Sequence, residues 1–118
     1  MNRHKQALDI FAAGTVIPAT PLALNAQRQF DKNAQRRLIR YYLDAGAGGI
    51  AAAVHTTQFE IRDPKYQLLE PVLQTVSEEI DRYERETERV VVRVAGVCGK
   101  KEQAVSEAKL AKKHGYDA

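Results

Sequence analysis

Two kinds of hydrophobic pattern alternate along the chain. Short apolar or β-branched runs occupy residues 15–17, 49–54 and 90–95, and each is followed by a longer stretch with helical spacing. Short runs of this kind predict strands buried on both faces, whereas the longer stretches predict amphipathic helices. The apolar stripes of the three predicted helices comprise Leu38, Ile39, Tyr42 and Leu43, then Leu69, Val72, Leu73, Val76 and Ile80, then Ala104, Val105, Ala108 and Ala111.

Capping and turn residues mark where the predicted helices begin and end. Asp31 is a good N-cap for the first helix, and Gly46 is expected to stop it. Asp63, which a proline follows, predicts the start of the second helix, and Gly115 predicts the end of the third. Residues 1–13 form a short amphipathic lead-in that the pattern does not assign to one structure.

The order strand, helix, strand, helix, strand, helix predicts an α/β fold with parallel strands. A parallel sheet needs both faces covered, and three strands with three helices do not achieve this. Residues 1–118 are therefore expected to form the N-terminal (βα)3 portion of a TIM (β/α)8 barrel, a single domain of roughly 250 residues. The sequence ends where a fourth strand would begin, so we expect the remainder of that barrel outside it.

The composition is that of an ordinary soluble globular protein, with 44% hydrophobic and 28% charged residues. No apolar run approaches the roughly 20 residues of a membrane span, and no signal-type apolar core follows the basic N-terminus. Cys98 is the one cysteine, which excludes an internal disulfide and suits a reducing compartment. We therefore expect a cytoplasmic protein without a membrane partner.

The net charge of +3 does not indicate nucleic-acid binding. Basic residues cluster at Arg36, Arg37 and Arg40, but acidic residues interleave elsewhere and no run alternates basic with aromatic residues. These charges are typical of solvated helix faces. No Cys and His group has metal-ligand spacing, and no phosphate loop or dinucleotide fingerprint occurs, so neither a metal nor another cofactor is expected.

Candidate chemistry lies at the ends of the predicted strands. Ligands of parallel α/β sheets bind beyond the carboxyl ends of the strands, which here means residues 18–22, 55–60 and 96–100. The second segment contains Thr56 and Thr57, whose hydroxyl and backbone N–H groups can hold a carboxylate or phosphate. A loop in which both threonines satisfy their own backbone is the competing interpretation, and the residues alone favour it.

Three other side chains in these segments have structural interpretations that compete with functional ones. His55 is either a general base or a hydrogen-bonded packing residue, and Glu60 is either an acid–base group or an ion-pair partner of Arg62. Cys98 has no neighbouring histidine in the sequence that would activate it, so packing is its expected role. The residues alone favour the structural role for all three.

Taken in order, several segments of the chain resemble a known family. They are residues 14–22 (GTVIPATPL), 30–31 (FD), 42–50 (YLDAGAGGI), 56–57 (TT), 94–97 (VAGV) and 108–118 (AKLAKKHGYDA). In this order and spacing they resemble the dihydrodipicolinate synthase / N-acetylneuraminate lyase family. The resemblance spans nearly the whole sequence from Gly14 onward and corresponds to the first three βα units of that family's (β/α)8 barrel.

The resemblance implies a class I lyase or aldolase that acts on pyruvate or a related 2-keto acid. In such enzymes a lysine forms a Schiff base with the keto group, which serves as an electron sink while a carbon–carbon bond is made or broken. By resemblance Thr56 is catalytic, in a proton relay with tyrosines, and both Thr56 and Thr57 bind the substrate carboxylate. The lysine and the relay tyrosine belong to later strands beyond Ala118, so residues 1–118 alone are expected to be inactive.

The tandem-threonine motif departs from the family pattern on both sides. The family commonly reads Gly-Thr-Thr-Gly-Glu, whereas this chain has His55 and Gln58 in place of the two glycines and Phe59 in place of the glutamate. Glycine reaches backbone conformations that histidine and glutamine adopt only with strain. We therefore expect His55 and Gln58 to line a reshaped pocket, and the resemblance leaves the exact substrate and the direction of reaction open.

Two further hypotheses stay open beside the keto-acid enzyme. A relative that kept the barrel but lost Schiff-base chemistry would bind a small carboxylate or a protein partner, and the altered threonine motif supports it. A small nucleotide-binding α/β module is the third, and the missing phosphate-loop signature argues against it. The resemblance also implies a homo-oligomer, either a tetramer or a dimer.

Overall fold

The computed structural model describes residues 2–118. Helices and strands alternate over residues 32–113, as the sequence predicts, and one additional helix precedes them. Two short 3₁₀ helices, His55–Thr57 and Phe59–Arg62, lie between the first strand and the helix after it. The helices and strands are α1 (Arg3–Ala13), α2 (Lys32–Asp44), β1 (Gly49–Ala52), α3 (Leu69–Thr87), β2 (Val92–Ala95) and α4 (Lys101–Lys113).

The two strands form a parallel sheet, in which Gly49 pairs with Val92 and Ala52 pairs with Ala95. The α/β class with parallel strands is therefore confirmed, although both strands are shorter than the sequence predicts. β1 ends at Ala52 because Ala53 has a φ of 60°, a left-handed conformation that interrupts an extended strand.

Residues 15–17 lie beside β1 without forming a regular strand. The Val16 carbonyl accepts from the N–H groups of two successive glycines before and at the start of β1, at 3.0 and 3.2 Å. The Pro18 carbonyl accepts from Ala51 at 3.0 Å, but proline has no N–H to return such a bond. Pairing is therefore limited to one parallel bridge, Ala19 with Ala51, and the (βα)3 arrangement is not confirmed.

The last residues of the sequence lie on the other side of β2. The N–H groups of Asp117 and Ala118 donate to the Arg93 carbonyl at 2.8 and 3.2 Å, and Ala95 donates to the Ala118 carbonyl at 2.9 Å. β2 therefore has backbone partners on both sides, with β1 on one side and residues 117–118 on the other.

Most predicted helix ends are confirmed. The Asp31 carboxylate accepts from the Ala34 N–H at 2.9 Å and caps α2. Gly46 and Gly115 end α2 and α4 with φ values of 105° and 84°, which glycine adopts without steric cost. After each glycine, an N–H donates to the carbonyl five residues earlier at 3.1 Å, as in a Schellman motif.

The predicted start of the second helix at Asp63 is wrong. Asp63 instead accepts from the Lys65 N–H at 2.8 Å in a turn, and Gln67 has a φ of 50°, so α3 begins at Leu69. Pro71, which lies in the first turn of α3, is the sequence signal for this later start. The unassigned residues 3–13 form α1.

Helices α2 and α3 cover one face of the sheet. Ile50 and Ala52 of β1 are fully buried there, among the predicted apolar stripes of both helices. The opposite face carries Gly49, where a Cβ would lie only 2.9 Å from the Val92 carbonyl oxygen and 3.0 Å from the Ile17 side chain. This close approach requires glycine. Within residues 2–118, no helix has both the length and the apolar content that spanning a bilayer demands.

An ion-pair cluster joins α1 to β2 and to residues 117–118. The side chain of Asp117 is fully buried and accepts from Arg3 Nη1 at 2.7 Å, from His4 Nδ1 at 2.8 Å and from the Arg93 N–H at 2.9 Å. Burial acts to raise the pKa of Asp117, but the hydrogen bonds from these three donors outweigh it. The pKa of the Asp117 carboxyl is therefore below its ordinary value.

The lowered pKa of Asp117 predicts acid-sensitive stability. The unfolded chain binds the proton first, so the stabilisation is present above the unfolded pKa of about 4 and is lost as the pH falls through the folded pKa. We expect the free energy of unfolding of Asp117→Asn to vary less with pH below about 4 than that of the wild type. Urea denaturation between neutral pH and about pH 3 measures this, with exposed Asp9→Asn as the control. Equal acid dependence of Asp117→Asn and wild type would contradict the prediction.

Candidate active site

The two threonines differ in their surroundings, although both lie in the 3₁₀ turn His55–Thr57 just after β1. Thr57 is fully buried, and its hydroxyl donates to the Thr20 carbonyl at 2.6 Å. The Thr20 hydroxyl in turn donates to the Ala51 carbonyl at 3.0 Å. Because a hydroxyl carries one proton, Thr57 Oγ1 keeps only acceptor capacity for a ligand.

Thr56 is exposed, and it carries polar groups that form no hydrogen bond within the turn. The first backbone hydrogen bond of the turn runs from Thr57 N–H to the Val54 carbonyl at 3.0 Å, and the next runs from Gln58 N–H to the His55 carbonyl at 2.9 Å. The N–H groups of His55 and Thr56 precede these donors, as at any helix start. The Thr56 hydroxyl and these N–H groups are therefore available to a ligand.

Gln58 has the backbone conformation of a glycine. Its φ of 80° and ψ of 119° lie outside the regions that side-chain-bearing residues favour. In the family that the sequence resembles, the position of Gln58 is commonly the second glycine of the motif. Gln58 keeps a backbone conformation typical of glycine although it carries a side chain. Such a residue carries strain of about 1–3 kcal/mol.

Replacement of Gln58 by glycine is expected to stabilise the protein. Relief of the strain exceeds the added entropy of the unfolded chain, and the net gain is about 1 kcal/mol. Gln74→Gly, on the exposed face of α3, is the matched control and is expected to cost about 1 kcal/mol. Urea denaturation of both variants checks the prediction, and a destabilised Gln58→Gly variant would contradict it.

His55 and Phe59 pack against each other at the surface. His55 is exposed, and its ring centroid lies 5.4 Å from that of Phe59, the aromatic residue that replaces the family's glutamate. A cavity of about 350 Å³ lies beside Gln58. Its lining residues are Leu22, Leu24, Arg28, Gln58, Glu60, Ile61, Tyr66 and Leu68.

Arg62 pairs with Glu107, so the expected ion pair between Arg62 and Glu60 is wrong. Arg62 Nε donates to Glu107 Oε1 at 2.7 Å, and both side chains are buried, whereas Glu60 is exposed. Burial acts to raise the pKa of Glu107, but hydrogen bonds from Arg62, Gln103 and the Cys98 N–H together hold it below its ordinary value. Sequence analysis missed this pair because its members lie far apart along the chain and neither belongs to a motif.

Cys98 is a half-buried free thiol, and its N–H donates to Glu107 Oε1 at 3.1 Å. Among residues 2–118, no three or more His, Cys, Asp and Glu side chains are grouped so that they could bind a metal ion.

The fold of this chain is similar to that of solved structures. A protein from Pseudomonas aeruginosa, described provisionally as a dihydrodipicolinate synthetase, superimposes with a TM-score of 0.70 and 19% identity over 86% of this chain and 32% of its own. A dihydrodipicolinate synthase superimposes with a TM-score of 0.68 and 18% identity over 88% of this chain and 33% of its own. The chain has the dihydrodipicolinate synthase fold over about a third of that enzyme's length.

The resemblance that the sequence predicts is therefore confirmed at the level of the fold. No family model matches the chain. No curated protein matches it significantly either. The roles of Thr56, Thr57, His55 and Gln58 in binding and catalysis stay predictions.

Proposed function

We propose that the chain belongs to a lyase or aldolase that acts on pyruvate or a related 2-keto acid. The observation that carries this proposal is the position of Thr56 and Thr57, directly after β1 in a fold that matches dihydrodipicolinate synthase structures. The carboxyl ends of parallel strands are where the ligands of such folds bind.

The proposed fold is the N-terminal part of a single (β/α)8 barrel domain. Backbone hydrogen bonds at both edges of the sheet support this proposal. Residues 15–20 extend the sheet beside β1, and residues 117–118 extend it beside β2. Val16 is 71% exposed, as expected for a barrel residue whose neighbouring unit is supplied by other parts of the polypeptide. A homo-oligomer in the cytoplasm stays a prediction from the resemblance.

In this proposal the two threonines have different roles: Thr56 binds the substrate carboxylate, and Thr57 supports the turn. The exposed hydroxyl of Thr56 and the N–H groups of the turn are the donors for the substrate carboxylate, since donors to an ionised oxygen form the stronger hydrogen bonds. Thr57 fixes the turn through its hydrogen bond to the Thr20 carbonyl. We also assign to Thr56, whose hydroxyl is exposed, the exchange of a proton with a tyrosine from a later strand.

The Schiff-base lysine of the proposed reaction is supplied from outside residues 1–118. Its amine adds to the keto carbon and water leaves, and the resulting iminium accepts the electron pair of the carbon–carbon bond that breaks. No lysine of this chain is assigned that role.

A barrel relative without Schiff-base chemistry is the second candidate function. The observation that favours it is the altered threonine motif, in which His55, Gln58 and Phe59 surround Thr56 and Thr57 in place of the glycines and glutamate of the family that the sequence resembles. Such a protein would bind a small carboxylate or a protein partner.

Calorimetric titration of the natural full-length polypeptide with pyruvate tests the proposed site. We expect saturable binding of pyruvate or a related 2-keto acid and much weaker binding of methyl pyruvate, which lacks the ionised carboxylate. If no 2-keto acid binds, or if the ester binds as tightly as the acid, carboxylate recognition by this turn is wrong.

A further inference from the structure

Arg62 is a buried arginine that connects the ends of both strands to α4. Its side chain is 8% exposed, and Nη2 donates to the carbonyl oxygens of Ala53 and Gly96 at 2.9 Å each. Ala53 directly follows β1 and Gly96 directly follows β2. Nε donates to Glu107 of α4, so one side chain contacts three elements of the fold.

The two strand ends approach each other so closely that no side chain fits at Gly96. A Cβ at Gly96 would lie 2.5 Å from the Ala53 carbonyl oxygen, and the Gly96 N–H donates to the Ala52 carbonyl at 2.9 Å. Ala53 also has the left-handed φ of 60°. The Arg62 guanidinium binds both carbonyl oxygens and thereby holds this strained junction, which is separated from the threonine turn by one residue.

Glu107 fixes the orientation of the guanidinium. Its side chain is buried, and Oε2 accepts from Gln103 at 2.8 Å while Oε1 accepts from both Arg62 and the Cys98 N–H. The Arg62 guanidinium also lies 5.8 Å from the centre of the Phe59 ring, against which His55 packs. Arg62 therefore contacts residues on both sides of the threonine turn, Ala53 before it and Phe59 after it.

We propose that Arg62 is a positioning residue for the turn that contains Thr56 and Thr57. It holds the end of β1 against the end of β2, so that Thr56 presents its hydroxyl and N–H groups in a fixed arrangement. Its effect on substrate rests on the proposed function, whereas its effect on the turn does not depend on any ligand.

Hydrogen–deuterium exchange of the natural full-length polypeptide carrying Arg62→Met tests the proposal. We expect amide exchange within residues 53–58 to accelerate about tenfold or more, because charge-assisted hydrogen bonds at this junction are lost. In parallel, the Kd for pyruvate is expected to rise by a similar factor. Arg93→Met is the matched control, since Arg93 is 3% exposed and binds three side chains of α3. It is expected to accelerate exchange in α3 and β2 without a selective change in residues 53–58.

The outcomes of this experiment test the role of Arg62 separately from the proposed function. Wild-type exchange within residues 53–58 of Arg62→Met, or acceleration there no greater than that of the other core amides of the same variant, would overturn the positioning role. If the wild type binds no 2-keto acid, the proposed function fails while the exchange rates still decide the role of Arg62. If Arg62→Met does not fold, Arg62→Lys is measured in the same way. It keeps the charge but loses the planar fork, so we expect intermediate exchange.

Discussion

Replacement of Thr56 by valine is expected to lower the turnover of the 2-keto acid by the full-length protein about 10²- to 10⁴-fold. Valine keeps the shape of threonine but removes the exposed hydroxyl to which the proposed function assigns carboxylate binding and proton exchange. A positioned acid–base group typically contributes a factor of this size. Steady-state kinetics with the substrate that titration identifies measure the loss. Thr56→Ser retains the hydroxyl and is expected to recover most of the activity.

Thr57→Val is the matched control for this prediction. The variant leaves the Thr20 carbonyl buried without its 2.6 Å donor, so its main effect is a loss of about 1–3 kcal/mol in the free energy of unfolding. If Thr56→Val keeps wild-type turnover while Thr57→Val abolishes it at unchanged stability, the division of roles between the threonines is reversed.

Replacement of Arg93 by methionine is expected to destabilise the protein by about 3–5 kcal/mol, the usual cost when one partner of a buried ion pair is removed. Arg93 Nη1 donates to Ser77 at 2.8 Å, and Nη2 donates to Asp81 at 2.6 Å and to Glu84 at 2.9 Å. Methionine fills part of the space but leaves the largely buried oxygen atoms of Ser77 and Glu84 without this donor.

Arg82→Met, on the exposed surface of α3, controls for the loss of one positive charge. Arg82 is 51% exposed and pairs with Glu79 at 3.3 Å, so its loss is expected to cost less than about 1 kcal/mol. Urea denaturation at neutral pH measures both variants. A cost below about 1 kcal/mol for Arg93→Met would show that the Arg93 ion pairs do not stabilise β2 against α3.

The parts of the fold that sequence analysis predicted correctly depend on local patterns. The apolar stripes of α2 and α3, the Asp31 cap and the glycines after α2 and α4 are set by residues within a few positions of each other. The parallel pairing of β1 with β2 follows from the strand–helix alternation, since a strand that returns through a helix pairs in parallel.

The wrong strand and helix limits have tertiary causes. Ala53 and Gln67 adopt positive φ values although neither residue favours them, so the end of β1 is not visible in the sequence and Pro71 is the one local signal for the late start of α3. Proline at position 18 marked an end to residues 15–17, but only the structure shows that the single bridge to β1 is made by Ala19, after that proline.

The sequence predicted where Thr56 and Thr57 lie in the fold, after the first buried strand, but not the contacts that they make. The strand-end rule and the family resemblance both indicate Thr56 and Thr57, whereas the buried hydrogen bond of Thr57 depends on Thr20, which is distant in sequence. The contacts of Arg62 with Gly96 and Glu107 are likewise long-range. Single-sequence patterns carry no information about such pairs, which is why the expected partner of Arg62 was its near neighbour Glu60.

Borohydride trapping tests the central claim of a keto-acid enzyme most directly. The natural full-length polypeptide is incubated with pyruvate and borohydride, and its intact mass and peptide map are then measured. Reduction of a Schiff base makes the pyruvyl adduct irreversible, so we predict one adduct on a lysine outside residues 1–118 and none without pyruvate. An unmodified polypeptide after incubation with pyruvate and related 2-keto acids, or an adduct confined to a lysine within residues 1–118, would contradict the account.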